Sequence, residues 1–305
     1  MKKKIIVPLM LGLFSFATIS SIYAKEKVKV KKEVRQDEKS LLWKVSGNGL
    51  KAPSYVFGTI HIICQDDYFW TPVMDAALKD AQKVCLEMKM DDPGLQMKVA
   101  GGLMNMNGKK LNEYFTESEY KNLENYFKEK VAMLPVSALP MMKPVFVYTL
   151  MSTNMFSCEN TKSYETEIME KAKGDDKEIL GLESAEEQLG FLTSMNEDSV
   201  VMTIKKMMTI NPEANDSINH QFVEMINAYK AQDLNGITKS LEMQSGAYMD
   251  KEVLLVNRNK NWISKMKEMM KKDKVFFAVG AAHLVGDNGV LNLLRKAGYT
   301  VEAVK

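Results

Sequence analysis

The sequence predicts an α/β fold: a central mixed sheet with a site at the carboxyl ends of its strands, plus a large helical insertion. Three observations carry this. Apolar runs at 54–60, 84–90, 178–183 and 275–280 have the length and residue types of buried strands, with helical spacing in the stretches between them. Two of the runs lead into one pattern, Gly58-Thr59-Ile60-His61 and Gly280-Ala281-Ala282-His283. The other two carry carboxylates, Glu87 and Glu183, which are costly to bury in a core strand unless partnered.

With 305 residues, 46% of them hydrophobic, the chain can bury a sizeable core. Its 41 basic and 39 acidic residues leave a net charge of +2, which directs it neither to nucleic acid nor to an acidic partner. Histidine is scarce, at positions 61, 220 and 283 only, and arginine equally so, at 35, 258 and 295.

Residues 1–24 read as a signal peptide. Lys2 to Lys4 form a basic start, Ile5 to Ile19 an apolar stretch, and Ser20 to Ala24 a cleavage site ending in a small residue. The expected location is periplasmic or secreted. Ile22 stands where a small residue is preferred, so an uncleaved membrane anchor stays open. No later run has the roughly 18 apolar residues of a membrane span. Residues 25–39 are mostly charged and read as a mobile spacer ahead of one domain over 40–305.

Leu41 to Val45 and Ser54 to Ile60 form a predicted hairpin through Gly47-Asn48-Gly49, residues that accept positive φ. The second strand delivers His61 to the sheet edge. Thr71-Pro72 opens a helix over 73–82, and Val84 to Met90 is the next strand. Glu87 within it must be paired, hydrogen-bonded or metal-bound if buried; otherwise it shares an exposed pleat with Lys89.

From about 92 to 274 the pattern is helical, interrupted by a strand near 178–183. A capping box at Thr116 to Glu119 opens Tyr120 to Lys130, prolines at 135, 140 and 144 break 134–155, and Ser163 to Lys173 ends at Gly174. The methionines here, among 24 in the chain, fall at helical spacings and read as core filler. Glu183 either caps the following helix, 185–195, or belongs to the site. Asn211-Pro212 and Asp233 to Asn235 divide the later helices, with His220 mid-helix at a surface position. Arg258 lies on the long helix leading to the last apolar run, where its planar fork suits a substrate carboxylate or a neighbouring glutamate, with a helix-face ion pair as the alternative. A helix over 289–296, capped by Gly298, precedes a closing strand, Tyr299 to Val304.

The three cysteines, Cys64, Cys85 and Cys158, make no disulfide framework, and buried thiols are expected. Cys64 and Cys85, near the ends of early strands, are the better-placed pair.

If the four runs are parallel in one sheet, His61, Glu87, Glu183 and His283 gather at one edge. Two imidazoles with one or two carboxylates suit zinc, manganese, iron or cobalt, with a position left for water. A metal so held acidifies that water for attack on a carbonyl, and a nearby carboxylate can move the proton. No Gly-x-Ser-x-Gly elbow, His-Glu-x-x-His helix or phosphate-binding glycine loop supports a rival chemistry.

At these residues the sequence resembles the TraB/GumN family, which includes the Tiki proteases. The likeness runs through Leu42-Trp43, Gly58 to His61, Leu86-Glu87, Gly181 to Ser184 with Glu187-Gln188-Leu189, and Arg258-Asn259 with Trp262. It continues through Gly280 to Leu284, Gly286, Gly289, Leu294-Arg295, Gly298-Tyr299 and Val301. The resemblance implies an α/β fold whose active site joins both Gly-x-x-His histidines to an early glutamate. His61, Glu87 and His283 carry over as the metal-binding or catalytic set, and Arg258 as a site residue. The Tiki branch implies metal-dependent proteolysis supported by manganese or cobalt, and the pheromone-shutdown members imply peptide binding or degradation.

The expectation is an exported metal-dependent hydrolase acting on a peptide or another carbonyl-containing substrate, with a peptide or a small molecule as its partner. Its metal set is His61, Glu87 and His283; its catalytic set is Glu87, Glu183 and Arg258; its cofactor is a divalent metal, manganese, cobalt or zinc. No nucleic-acid partner and no membrane span in the mature chain are expected. The alternative is an envelope protein that binds a peptide, a metal or haem without breaking a bond, by analogy with haem-binding lipoproteins of similar architecture. A purely structural envelope protein is the third reading.

Overall fold

The edge on which the histidines lie is set by how the strands alternate with helices. In the computed structural model the described residues are 39–106, 108–131, 134–153, 158–209, 217–244 and 251–305. The predicted signal peptide, all but the last residue of the spacer, and the Asn211-Pro212 break lie outside them.

Strands β1 (Leu42–Ser46) and β2 (Ser54–Thr59) form the expected hairpin, with Val45 opposite Ser54 and residues 47–49 all at positive φ. The two-residue β3 (Ile63–Cys64) follows, then α1 (Pro72–Asp80), whose N-cap Thr71 accepts from the Met74 amide. β4 (Lys83–Met88) leads into α2 (Leu95–Leu103), α3 (Glu117–Lys130) with its Thr116/Glu119 capping box, and α4 (Pro144–Thr153). β5 (Thr161–Lys162) pairs with β3 in a small sheet of its own.

The chain continues with α5 (Tyr164–Gly174), β6 (Glu178–Glu183), α6 (Ala185–Thr193), α7 (Glu197–Met207), α8 (Ser217–Lys230) and α9 (Leu234–Gln244). A π-helical turn, Glu252–Val256, runs into α10 (Asn257–Lys272). β7 (Val275–Gly280), α11 (Val290–Lys296) and β8 (Thr300–Ala303) complete the fold.

The main sheet has six strands in the order β6-β4-β7-β2-β1-β8. The first four are parallel, and β1 runs antiparallel to both its neighbours. Every residue of β7 is buried, because it lies between β4 and β2 with both faces covered; hence its continuous apolar run.

Two apolar clusters support this frame. One surrounds the sheet, with Trp43, Phe57, Tyr164, Tyr229, Trp262 and Phe276. The other joins α3, α4, α6 and α7 through Phe127, Phe146, Tyr148 and Leu189. Met266 and Met270 fill the first, and Met142, Met151 and Met207 the second. Each large side chain so buried contributes about 1.5–3 kcal/mol. Among the described residues, no helix is long and apolar enough to cross a membrane.

The cysteine expectation is corrected. Cys64 bonds Cys158, 94 residues away, with a Cα–Cα distance of 5.8 Å, while Cys85 is buried and free. The pairing of β3 with β5 brings the sulfurs together, and that pairing has no periodic signal in two-residue strands. Burial pushes the Cys85 thiol up, so it stays protonated.

Candidate functional site

Because β2, β4, β6 and β7 are parallel, their carboxyl ends share one edge, and His61, Glu87, Glu183 and His283 all lie there. Arg258, in the first turn of α10, reaches the same place. The sequence-predicted residues therefore meet in one cluster.

Both motif glycines serve close approach. A Cβ on Gly58 would lie 2.7 Å from Leu284 Cδ1 and 3.2 Å from Ala281, so the first motif must be bare for the second motif's loop to pack on it. A Cβ on Gly280 would lie 3.3 Å from Glu87 Oε1, 3.7 Å from His283 Cδ2 and 3.9 Å from His61 Nε2. All three side chains thus border one small space above Gly280.

Arg258 organises the carboxylates. Its Nε donates to Glu183 Oε1 at 2.8 Å, and Nη2 donates at 2.7 Å to both Glu183 Oε2 and Glu87 Oε2. Nη1 donates to the Leu254 carbonyl at 3.1 Å and lies 3.2 Å from His283 Nε2. All five N–H donors of a guanidinium are engaged. The arginine thus grips glutamates and is not left open for a substrate carboxylate.

Glu183 accepts further from Trp262 Nε1 at 2.8 Å. The cap of α6 belongs instead to Ser184 and Glu187, which form a capping box. Burial raises the Glu183 carboxyl, with Arg258 and Trp262 opposing.

Glu87 is buried, so the exposed-pleat reading fails: β4 ends at Met88, and exposed Lys89 lies beyond the strand. Its Oε1 accepts from the Gly280 amide at 2.8 Å and lies 3.7 Å from His283 Nε2, while Oε2 also accepts from Gln188 at 3.2 Å. Burial disfavours the charge, yet Arg258, His283, His61 and the Gly280 N–H together hold the carboxyl far below the usual range.

The two histidines are held from behind by different groups. His283 Nδ1 lies 2.6 Å from Asn259 Oδ1, and Asn259 Nδ2 donates to the Asn288 carbonyl at 2.9 Å. That amide orientation makes Nδ1 the donor and leaves the lone pair of His283 on Nε2. Burial lowers the imidazole to about 3; Glu87 opposes this and Arg258 adds to it, so the ring stays neutral. Trp262 lies against the ring with centroids 4.3 Å apart.

His61 Nδ1 is 2.8 Å from Glu165 Oε1. The contact is an ion pair in which the carboxylate favours a proton on the ring. Burial works to lower this imidazole, but Glu165 outweighs it and lifts the ring to about 9.

Sequence reasoning missed Glu165 and assigned no role to Asn259 or Gln188. A signal existed for the first two. Glu165 falls on one helical stripe with Ile168 and Ala172, and Asn259 on one with Trp262 and Met266, so each is a polar residue on an apolar face. His220 is exposed on α8, away from this chemistry.

The donor chemistry fits a divalent cation: Asn259 holds His283 Nδ1, Glu165 lies against His61 Nδ1 and the Gly280 amide holds Glu87 Oε1, so two imidazoles and a carboxylate border the space above Gly280. Among the described residues, however, no three His, Cys, Asp or Glu side chains stand in metal-ligand geometry. Arg258 Nη1 currently faces the His283 lone pair.

The chain is 23% identical to Metalloprotease TIKI2 of Danio rerio, over 88% of this chain and 61% of that protein. It is 22% identical to Metalloprotease TIKI1 of Homo sapiens, over 86% of this chain and 61% of that protein. A Metalloprotease TIKI homolog of Nematostella vectensis is 21% identical, over 87% of this chain and 67% of that protein. The chain thus spans less than two thirds of the length of the first two relatives. No solved structure matches it. The model of the TraB/PrgY/gumN family matches residues 41–303, which include every residue of the cluster, and the chain belongs to that family.

Proposed function

We propose that this protein is an exported, metal-dependent hydrolase acting on peptides, with its site at the parallel-strand edge. One observation carries the reading: His61, Glu87 and His283 border the space above Gly280, with His283 Nδ1 held by Asn259 and His61 Nδ1 beside Glu165, so that each Nε2 is the nitrogen turned away from its support; a cation would take the place of the second proton on the His61 ring. Relatives named metalloproteases support the reaction class.

In this reading His61 Nε2 and His283 Nε2 hold manganese, cobalt or zinc, and Glu87 Oε1 serves as the third ligand or as proton acceptor. The cation supplies Lewis acidity toward a carbonyl and lowers the pKa of water. Arg258 keeps Glu87 ionised and fixes its direction, and Glu183 and Trp262 fix Arg258 in turn. Asn259 holds His283 in the tautomer that offers Nε2. Cation uptake at His283 requires replacing the Arg258 Nη1 contact, and the Leu254 carbonyl and Glu183 remain to hold the guanidinium.

The test strips the purified protein of metal, adds back manganese, cobalt or zinc, and follows cleavage of a peptide library. The reading expects metal-dependent turnover that His283→Ala lowers by at least about 100-fold. Stoichiometric metal uptake with no cleavage in any arm would instead make it a binding protein.

A further inference from the structure

We infer that Glu165 is a positioning residue for His61: with Thr59 and Ser163, it fixes the ring so that Nε2 faces the space above Gly280. The inference rests on the metal-site reading only for what Nε2 then binds.

Glu165 is 4% exposed and, among the described residues, is the one buried carboxylate outside the Arg258 cluster. It lies in the first turn of α5, where the positive end of the helix favours a carboxylate. Each oxygen has a defined partner. Oε1 accepts from Thr59 Oγ1 at 2.6 Å and lies 2.8 Å from His61 Nδ1. Oε2 accepts from Ser163 Oγ at 3.1 Å. Thr59 lies two residues before His61 in the first motif, and Ser163 is the N-cap of α5. The carboxylate therefore bridges the motif loop to a helix more than 100 residues away.

The backbone brackets the same contact. Immediately after His61, β3 pairs with β5, matching Ile63 to Lys162 and Cys64 to Thr161. The Cys64–Cys158 bond closes the pair covalently. Tyr229 Oη donates to the Gly58 carbonyl at 3.0 Å and secures the start of the motif. So many constraints on one imidazole suit a ring whose direction matters. A carboxylate behind a histidine is the arrangement that fixes tautomer and raises basicity at the opposite nitrogen, and its loss commonly costs 10–100-fold in metal affinity. His283 has a carboxamide in this position, so the two rings are supported unequally.

The test compares wild type with Glu165→Ala, Glu165→Gln and Thr59→Val, each checked for native circular dichroism. Co2+ affinity is measured by equilibrium dialysis, with the visible cobalt spectrum as a second readout. In the metal-free protein, 15N shifts of labelled histidine above the His61 titration report which ring nitrogen carries the proton. With three histidines in the chain, single substitutions assign every signal.

The expected result is an Nδ1–H tautomer at His61 in wild type that is lost in Glu165→Ala, with Co2+ affinity falling about 10–100-fold. Glu165→Gln, which keeps an acceptor oxygen, should retain the tautomer and fall between. If Glu165→Ala does not fold, Gln and Thr59→Val carry the test, with Thr59→Val weakening Co2+ binding. Wild-type tautomer and affinity in all variants that fold would overturn the inference. If wild type binds no cobalt, the metal-site reading fails, and the tautomer measurement alone decides whether Glu165 positions His61.

Discussion

Arg258 buries one guanidinium against two carboxylates, and the three charges depend on one another. Removing it leaves Glu87 and Glu183 buried without a cation, which in comparable sites costs about 3–5 kcal/mol. Arg258→Ala is therefore expected to lower unfolding free energy in urea by that amount, and Arg258→Lys to recover only part, since an ammonium lacks the planar fork that spans both glutamates. A loss below about 1 kcal/mol would contradict this account of the cluster. The residue types were legible in the sequence, because carboxylates and histidines at strand ends and an arginine on the final long helix are conspicuous by chemistry. Their partners were less so. Glu165 and Asn259 lie within helices whose apolar stripes they interrupt, and a stripe with one polar residue still reads as an ordinary amphipathic helix. Which atom meets which is a tertiary fact that spacing does not carry.

Two short elements aim the site, and neither has a strong sequence signature. The β3–β5 pair is two residues on each side, too short for alternation to register, yet it brings Cys64 to Cys158 and holds the segment after His61 against the segment before Glu165. The π-helical turn ahead of α10 places the Leu254 carbonyl against Arg258 Nη1, and such turns recur at functional sites. Longer elements were plain from pattern: the capping boxes opening α3 and α6, the proline at the start of α1, and the hairpin through residues 47–49. The disulfide closes a loop of 94 residues, so Cys64→Ser with Cys158→Ser should cost about 2–4 kcal/mol of stability. It should also weaken Co2+ binding in dialysis, because the His61 loop loses its covalent tie. Unchanged stability and unchanged affinity would show that the bond supports neither.

At the scale of the molecule, a parallel sheet collects residues from both ends of the chain at one edge, so that His61 and His283 meet through the adjacent β2 and β7. This was readable because buried parallel strands are continuous apolar runs and the ends of β2 and β7 are marked by Gly58 and Gly280. The strand order was not, since it depends on which faces the helices cover. The whole fold also feels the His61–Glu165 pair through pH. His61 is raised from 6.5 to about 9, so in metal-free protein its contribution is fully present below about pH 6.5 and is lost as pH rises through about 9. Glu165 is lowered, so its contribution is present above its unfolded value near 4.5 and is lost as pH falls through the folded value. Urea unfolding of metal-free protein should show a contribution on the order of 3 kcal/mol between these limits that His61→Ala removes, and a pH profile indistinguishable from that variant would refute the pairing. A cation shared by the two histidines would occupy the space above Gly280. The most direct measurement is anomalous diffraction from crystals equilibrated with manganese, cobalt or zinc. The account predicts one peak about 2 Å from His61 Nε2 and His283 Nε2, beside Glu87, with Arg258 Nη1 withdrawn from His283. No peak at that position with any of the three metals, and Arg258 still against His283 Nε2, would contradict it.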